Sequence, residues 1–408
     1  MTTRILYLAT SAEIGGAERS ILELLRGLPK EKFSPYLIVP KDGPLARAGR
    51  KLDVQVKIES WPELVLRTGR ERGLVNRLRT LLIPFLLLPT VLRLRRYVKA
   101  NSIRIVHTNG IKAHLIGCGA TAITGVPLVW HLRDVLSPGL IRSVLRLLGL
   151  VGPRQIIANS MASARSLRLP VADRKVRVIY NGIDLREFRA IPGTEGLRAS
   201  LRIPKDSFVV GSVGALSPLK GHLHLIRAMV PVLREAPHAR LLIVGDEIYD
   251  TLGHSGYRRV LEDEVDRMGL TSRVIFAGWR DDIVPLYSIM DVVVLGSVRP
   301  ESFGRVLIEA MACGRPVIAT DLGGPREILS RPEYGILVLP EDADALASAI
   351  LTLHRDAAMR LEMAHLGRAR VAELFCIDRH VKEVCAIYSS LLRESCLNND
   401  QRPAEAAP

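Results

Sequence analysis

At 408 residues, 48% hydrophobic and 24% charged, the chain can bury two ordinary cores, which argues against a collagenous, repetitive or broadly disordered polymer. Five scattered cysteines without a Cys-x-x-Cys pair argue against a zinc knuckle or a disulfide framework, and fit reduced, mostly buried thiols in a cytosolic protein. The net charge of +15 calls for an anionic partner: nucleic acid, an acidic membrane surface or a phosphorylated substrate.

Met1-Thr2-Thr3-Arg4 runs straight into an apolar strand, with no signal-peptide layout. Continuous apolar runs at Arg4–Ala9, Tyr36–Val39, Val54–Ile58, Ile103–His107, Leu128–His131, Gln155–Ala158 and Val176–Tyr180 predict strands covered on both faces. Helical patterns such as Ala17–Arg26 and Ala113–Ala122 lie between several of them, so a parallel sheet with right-handed crossovers is expected. Two segments of this half carry much of the charge. Between Arg67 and Arg104 ten Lys or Arg face one acid, Glu71, a net +9. They surround Leu81–Pro89, which is shorter than the ~20 residues of a bilayer crossing and is expected to be broken by Pro84 and Pro89. Ser137–Gln155 repeats the theme, with Arg142, Arg146 and Arg154 among leucines and no acid. Such segments suit the plane of an anionic membrane; the structural alternative is two buried helices with solvated basic flanks. Few aromatics interleave with these arginines, so nucleic acid is not an expected partner.

Loop-like residues at Asn181-Gly182-Ile183-Asp184 and Ile191-Pro192-Gly193-Thr194 are the linker candidate. Strands then resume at Phe208–Val213, Arg240–Val244, Arg273–Ala277, Val292–Leu295 and Pro316–Ala319, each leading into a Gly, Asp or Ser loop and a helix. The expected fold is α/β: two facing Rossmann-like, doubly wound parallel-sheet domains with an interdomain cleft. The expected boundaries are 1–185, 186–374, a helix at 375–395 packing back on the first domain, and a flexible tail at 396–408. Ligands of such sheets bind beyond the carboxyl ends of the strands. That directs attention to 214–221, 245–246, 278–282, 296–309 and 320–327.

The densest of these is Arg299-Pro300-Glu301-Ser302-Phe303-Gly304-Arg305-Val306-Leu307-Ile308-Glu309, continuing to Ala319. A loop feeds a helix starting near Gly304, whose free amides can hold a diphosphate. Gly304 admits a ligand close to the backbone. Glu309, a turn and a half on, can accept from two ribose hydroxyls, and Glu301 lies where a sugar on the diphosphate would project. A surface helix with two solvated acids is the plain alternative. Lys220, in Gly214-Ala215-Leu216-Ser217-Pro218-Leu219-Lys220-Gly221, can neutralise a leaving diphosphate; alone it would be a solvated loop charge.

The segment around Glu301 and Glu309 resembles the E-x7-E motif of retaining GT-B glycosyltransferases of family 4, the glycosyl transferases group 1. The likeness covers roughly residues 3–390 and is strongest over 208–330. It implies a GT-B fold, a nucleotide-diphosphate sugar donor such as a UDP- or GDP-sugar, no metal or other cofactor, and retention at the anomeric carbon. By the resemblance Glu309 binds ribose and Glu301 the transferred sugar, while the amides of Phe303, Gly304, Val306 and Leu307 surround sugar and diphosphate. Thr320–Glu327 also fits the pattern. The family usually carries Arg directly after Gly214, where this chain has Ala215, so the resemblance implies either one phosphate contact fewer or a substitute in Arg305 or Arg280. Gly16, in Gly15-Gly16-Ala17-Glu18, matches the glycine loop near phosphates or acceptor, although a tight turn explains it equally. His131 falls at the position of an active-site His that contacts the sugar; a structural strand-end His is the alternative, and His107, also expected to end a strand, ranks below it. Gly278–Asp282 fits the loop that contacts the base, and Asp281-Asp282 are expected to open a helix. No Asp-x-Asp pairing is placed to hold a metal.

Retention in this family is described as front-face, with the leaving diphosphate helping to deprotonate the incoming hydroxyl. The acceptor is expected to be a sugar or a lipid-linked sugar, as in surface polysaccharide or glycolipid assembly. The site of action is expected to be cytoplasmic and peripheral at the inner membrane face. The rivals are a sugar-nucleotide epimerase on the same scaffold and a non-catalytic nucleotide- or membrane-binding module. A nicotinamide dehydrogenase is disfavoured because no Gly-x-Gly-x-x-Gly follows either first strand.

Overall fold

The structure is a computed structural model that describes residues 2–62, 74–169, 175–247 and 256–400, with the side chains of 74–84 and 395–400 outside the described set. The chain divides into two compact units, one of Met1–Gly182 with Ile377–Pro408 and one of Ile183–Cys376.

The first unit holds seven strands: β1 (Thr3–Ala9), β2 (Phe33–Val39), β3 (Gln55–Ile58), β4 (Ile105–Asn109), β5 (Leu128–Leu132), β6 (Gln155–Ala158) and β7 (Val176–Val178). All pair in parallel, in the order β3-β2-β1-β4-β5-β6-β7. The apolar runs read as strands because both faces are covered. Leu6, Leu8, Val106, Trp130 and Ile156 point into one core, and Ile5, Tyr7, Ile105, Val129 and Ile157 into the other. The helix Gly16–Gly27 and the last helix, Ile377–Asp400, cover the second core with Ile21, Leu24, Val381, Val384 and Tyr388. They approach closely at Gly27, where a Cβ would lie 2.6 Å from a Val381 methyl. The tail expected from residue 396 is thus helical in backbone to Asp400, and 401–408 lie outside the described residues.

Three readings of this half change. β4 runs two residues further than expected, so His107 lies mid-strand; the polar run His107-Thr108-Asn109 stays in the ladder because it pairs with β1 on one side and β5 on the other. The two prolines do not break the basic segment: one helix, Leu74–Ala100, passes through Pro84 and Pro89. Each proline removes a single helical hydrogen bond, while Leu87, Leu94 and Val98 anchor the helix in the core and Arg95 donates to Gly119 O of the next helix at 2.9 Å. The remainder of the segment, 67–73, lies outside the described residues. The second basic stretch is not a buried helix. Leu140–Val151 buries Leu145 and Gly149 and exposes Leu140, Ile141, Val144, Leu147, Leu150 and Val151.

The second unit repeats the scheme with β8 (Val209–Val213), β9 (Arg240–Val244), β10 (Val274–Phe276), β11 (Val292–Leu295), β12 (Val317–Thr320) and a strand not anticipated, β13 (Ile336–Val338). The order is β10-β9-β8-β11-β12-β13, again parallel. Strand order reverses between β8 and β11, and doubly wound sheets bind ligands at the carboxyl ends of the strands at such a switch point.

Candidate active site

In the second unit, glycine backbones stitch the loops at this edge together. Gly214 N donates to Val244 O at 2.9 Å, Gly245 N to Gly278 O at 2.8 Å and Val298 N to Leu219 O at 2.9 Å. Gly221 has φ +68°, and a Cβ there would lie 1.9 Å from Gly296 O, so only glycine lets the loops after β8 and β11 meet. Their meeting brings Lys220 to Glu301. Lys220 Nζ donates to Glu301 Oε1 at 2.5 Å, and Ser297 Oγ donates to the same oxygen at 2.5 Å. Burial pushes the Glu301 carboxyl up, but the Lys220 charge and hydrogen bond, with the Ser297 hydroxyl, outweigh it and hold the group below its ordinary value. Ser297 lies in a segment singled out in the sequence, but no spacing marked it.

The loop 301–303 is held from below. Gly324 N donates to Glu301 O at 2.9 Å, and a Cβ on Gly324 would come within 2.4 Å of Phe303 Cα. The helix Arg305–Ala312 then starts from Gly304, which sits in the left-handed region at φ +99°, and no side chain caps this end. Among the amides expected to surround a ligand, that of Leu307 is already used: it donates to Gly304 O at 2.9 Å and tightens the first turn. Phe303 and Leu307 are buried in side chain and Val306 is half-buried.

Glu309 is buried and already engaged. Arg305 Nε donates to its Oε1 at 2.6 Å, and Tyr287 OH to its Oε2 at 2.9 Å. Each oxygen retains a second lone pair that can accept a further hydrogen bond. Arg305 Nε therefore faces Glu309. Arg280, the other expected substitute, is bidentate on Asp282 at 2.7 and 2.5 Å. Asp282 precedes the helix Ile283–Ile289, as expected of a helix-opening acid. A cavity of about 560 Å³, lined by Asp206, His238, Arg240 and Arg273 among others, opens at the amino ends of β8–β10, away from these loops.

In the first unit the matching edge holds Gly16 and His131. Gly15 precedes the helix, Glu18 accepts from Gly15 N at 3.1 Å, and the space a Cβ on Gly16 would fill is open to 4 Å. Burial raises the Glu18 carboxyl, partly offset by that hydrogen bond and by the Arg133 charge. His131 is fully buried. Its Nδ1 lies 3.2 Å from both His107 Nε2 and Arg133 Nη2. Arg133, also buried, donates to Asn109 Oδ1 and Asn181 Oδ1. Burial, and the Arg133 charge after it, hold both imidazoles well below their ordinary value, hence neutral near pH 7. Arg133, Asn109 and Asn181 were not picked out by sequence because they converge only once β4, β5 and the 181 loop are assembled. Among the described residues, no group of three or more His, Cys, Asp or Glu is arranged to hold a metal ion.

Comparison with known proteins follows the same division. The family profile of glycosyl transferases group 1 matches residues 194–370, and that of glycosyltransferase family 4 matches residues 14–187. The chain is 26% identical over 393 residues to the Escherichia coli UDP-Gal:alpha-D-GlcNAc-diphosphoundecaprenol alpha-1,3-galactosyltransferase, covering 93% of this chain and 95% of that one. It is 35% identical over 219 residues to an uncharacterized glycosyltransferase of Methanocaldococcus jannaschii; the match takes in 52% of this chain and 54% of the relative, so the chain spans about half that protein's length. The crystal structure of Anabaena HepE in complex with UDP and glucose superposes with a TM-score of 0.80 at 29% identity, over 95% of this chain and 100% of that one. The two sheets, their shared strand order and the two family matches lead to one assignment: the chain belongs to the family 4, group 1 glycosyltransferases of GT-B fold.

Proposed function

We propose that the chain transfers a sugar, with retention at the anomeric carbon, from a nucleoside diphosphate sugar to an acceptor hydroxyl. The observation that carries this is the Lys220–Glu301 pair at the reversal point of the second sheet, beside an uncapped helix start at Gly304. Lys220 has two further donors beyond the one spent on Glu301, and these suit the oxygens of a leaving diphosphate. Glu301 addresses a sugar hydroxyl, and Glu309 the ribose. In the front-face scheme the bond from the anomeric carbon to the diphosphate breaks, the bond to the acceptor oxygen forms on the same side, and the acceptor's proton passes to a diphosphate oxygen. The chain contributes position and charge, and no step is routed through a metal.

Uridine is the proposed base, because HepE is a relative at 29% identity solved with UDP and the Escherichia coli relative is named for UDP-Gal. The proposed acceptor is lipid-linked and met at the cytoplasmic face of an anionic membrane. Two features support this surface. The helix Leu140–Val151 turns Leu147 and Val151, 65% and 77% exposed, to solvent, with Arg142, Arg146 and Arg154 in the same acid-free stretch. The helix Leu74–Ala100, anchored in the same core, exposes Phe85, Leu88 and Leu92. Exposed apolar side chains interspersed along the sequence with arginines fit an interface of acyl chains and acidic headgroups. No helix among the described residues is long and apolar enough to cross a membrane.

The test is a thermal-shift series with UDP-, GDP- and ADP-sugars, followed by transfer to a polyprenyl-diphosphate-linked sugar in anionic vesicles and determination of the product anomer. Stabilisation by none of the nucleotide sugars would refute the donor, and an inverted product the retention.

A further inference from the structure

Four buried groups of the first unit form one hydrogen-bonded line. Tyr7 OH lies 2.9 Å from Tyr388 OH, Tyr388 OH 2.7 Å from His107 Nδ1, and His107 Nε2 3.2 Å from His131 Nδ1. The groups come from β1, the helix Ile377–Asp400, β4 and β5, and each is at most 1% exposed. Burial keeps both imidazoles neutral and both phenols protonated near pH 7. Each contact therefore has one proton to place.

Arg133 decides where every proton sits. A guanidinium only donates, and Arg133 Nη2 lies 3.2 Å from His131 Nδ1. His131 Nδ1 is thus an acceptor, and its proton is on Nε2. His107 Nε2 faces the same acceptor and must donate to it, since the opposite assignment would set two lone pairs against each other. His107 Nδ1 then accepts from Tyr388 OH, whose oxygen accepts from Tyr7 OH. At the end of the line His131 Nε2–H is buried and has no hydrogen-bond partner among the described residues. A buried donor without a partner is rare in folded proteins, so it points to a ligand oxygen.

We infer that Tyr388, acting through His107 and in concert with Arg133, is a positioning residue that holds His131 as the Nε2–H tautomer, a pre-set donor to an oxygen of the sugar substrate. The sugar as recipient rests on the proposed glycosyl transfer; the tautomer does not. The relay gives the last helix a role at the site beyond covering the sheet, because its Tyr388 supplies the hydroxyl that orients His107.

The experiment uses the full chain labelled with ¹⁵N-histidine, with the His131 signal assigned from its loss in His131→Gln. The ring-nitrogen shifts should report Nε2–H tautomers for both His107 and His131. In Tyr388→Phe, His107 should gain Nδ1–H population, and kcat with UDP-glucose should fall about fivefold, the factor of one neutral hydrogen bond, with the donor KM within about twofold. Tyr7→Phe, at the far end of the line, should shift the same signals less, and it serves where Tyr388→Phe folds poorly. His131 found as Nδ1–H or as imidazolium would overturn the relay, as would a Tyr7→Phe effect larger than that of Tyr388→Phe. The stated tautomers in a protein that turns over no nucleotide sugar would uphold the relay and sink the transferase reading alone.

Discussion

Replacing Glu309 separates the structural and ligand-binding duties of that carboxylate. It accepts from Arg305 at 2.6 Å and from Tyr287 at 2.9 Å, and the Arg305 and Glu309 side chains are only 9% and 6% exposed. Glu309→Ala breaks the buried ion pair by removing the carboxylate that Arg305 Nε donates to, and breaking such a pair costs about 3–5 kcal/mol. A unit of this size loses about 2–4 °C of Tm per kcal/mol, so the melt should drop by roughly 6–20 °C, and lost UDP binding in that variant would not by itself identify a ribose ligand. Arg305→Met with Glu309→Leu removes both charges together, and such replacements of a buried pair are often neutral or stabilising. Calorimetric melts and UDP titrations of the single and double variants give the answer. The single should lose stability and UDP affinity; the double should regain the melt but not the affinity. A single variant melting within about 2 °C of wild type would refute the internal ion pair, and a double that binds UDP like wild type would refute the ribose role.

Three further outcomes are expected. Gly324→Ala drives a Cβ against Phe303 Cα and O, at 2.4 and 2.6 Å, so the 301–303 loop must shift; a misplacement of about an ångström costs on the order of 10²-fold, and kcat/KM should fall by that order with the circular dichroism spectrum unchanged. Lys220→Met leaves burial and only Ser297 to set the Glu301 carboxyl. In wild type its folded pKa lies below the ordinary 4.5, so it stabilises the fold above about pH 4.5 and that contribution is lost as pH falls through the depressed value. In the variant burial raises the group and the sign reverses, so the Tm gap between the two proteins should be widest near pH 7 and close towards acid; a gap independent of pH would count against the pairing. Leu147→Asp with Leu150→Asp removes two exposed leucines, each able to contribute about 1.5–3 kcal/mol on full burial, so affinity for anionic vesicles should fall more than tenfold while UDP affinity holds. Unchanged vesicle binding would remove this helix from the proposed membrane surface.

The amino-acid sequence by itself determined the strand-and-helix alternation, because strands buried on both faces must be continuously apolar, and that single pattern led to two parallel sheets. It also marked Lys220, Glu301 and Glu309, since a glycine-led loop before a helix is a local feature that needs no partner elsewhere in the chain. Local pattern misjudged Pro84 and Pro89, whose helix is held by distant contacts of Leu87, Leu94 and Val98, and it ended β4 too early because pairing on both sides accommodates the polar His107-Thr108-Asn109. Only the tertiary structure decided which groups meet. Lys220 reaches Glu301, 81 residues away, because strand order reverses between β8 and β11, and Tyr287 reaches Glu309 from another helix. Tyr7 and Tyr388, 381 residues apart, join one relay because the last helix returns to the first sheet. A buried hydrogen bond depends on where folded elements pack, and sequence spacing carries no record of that distance.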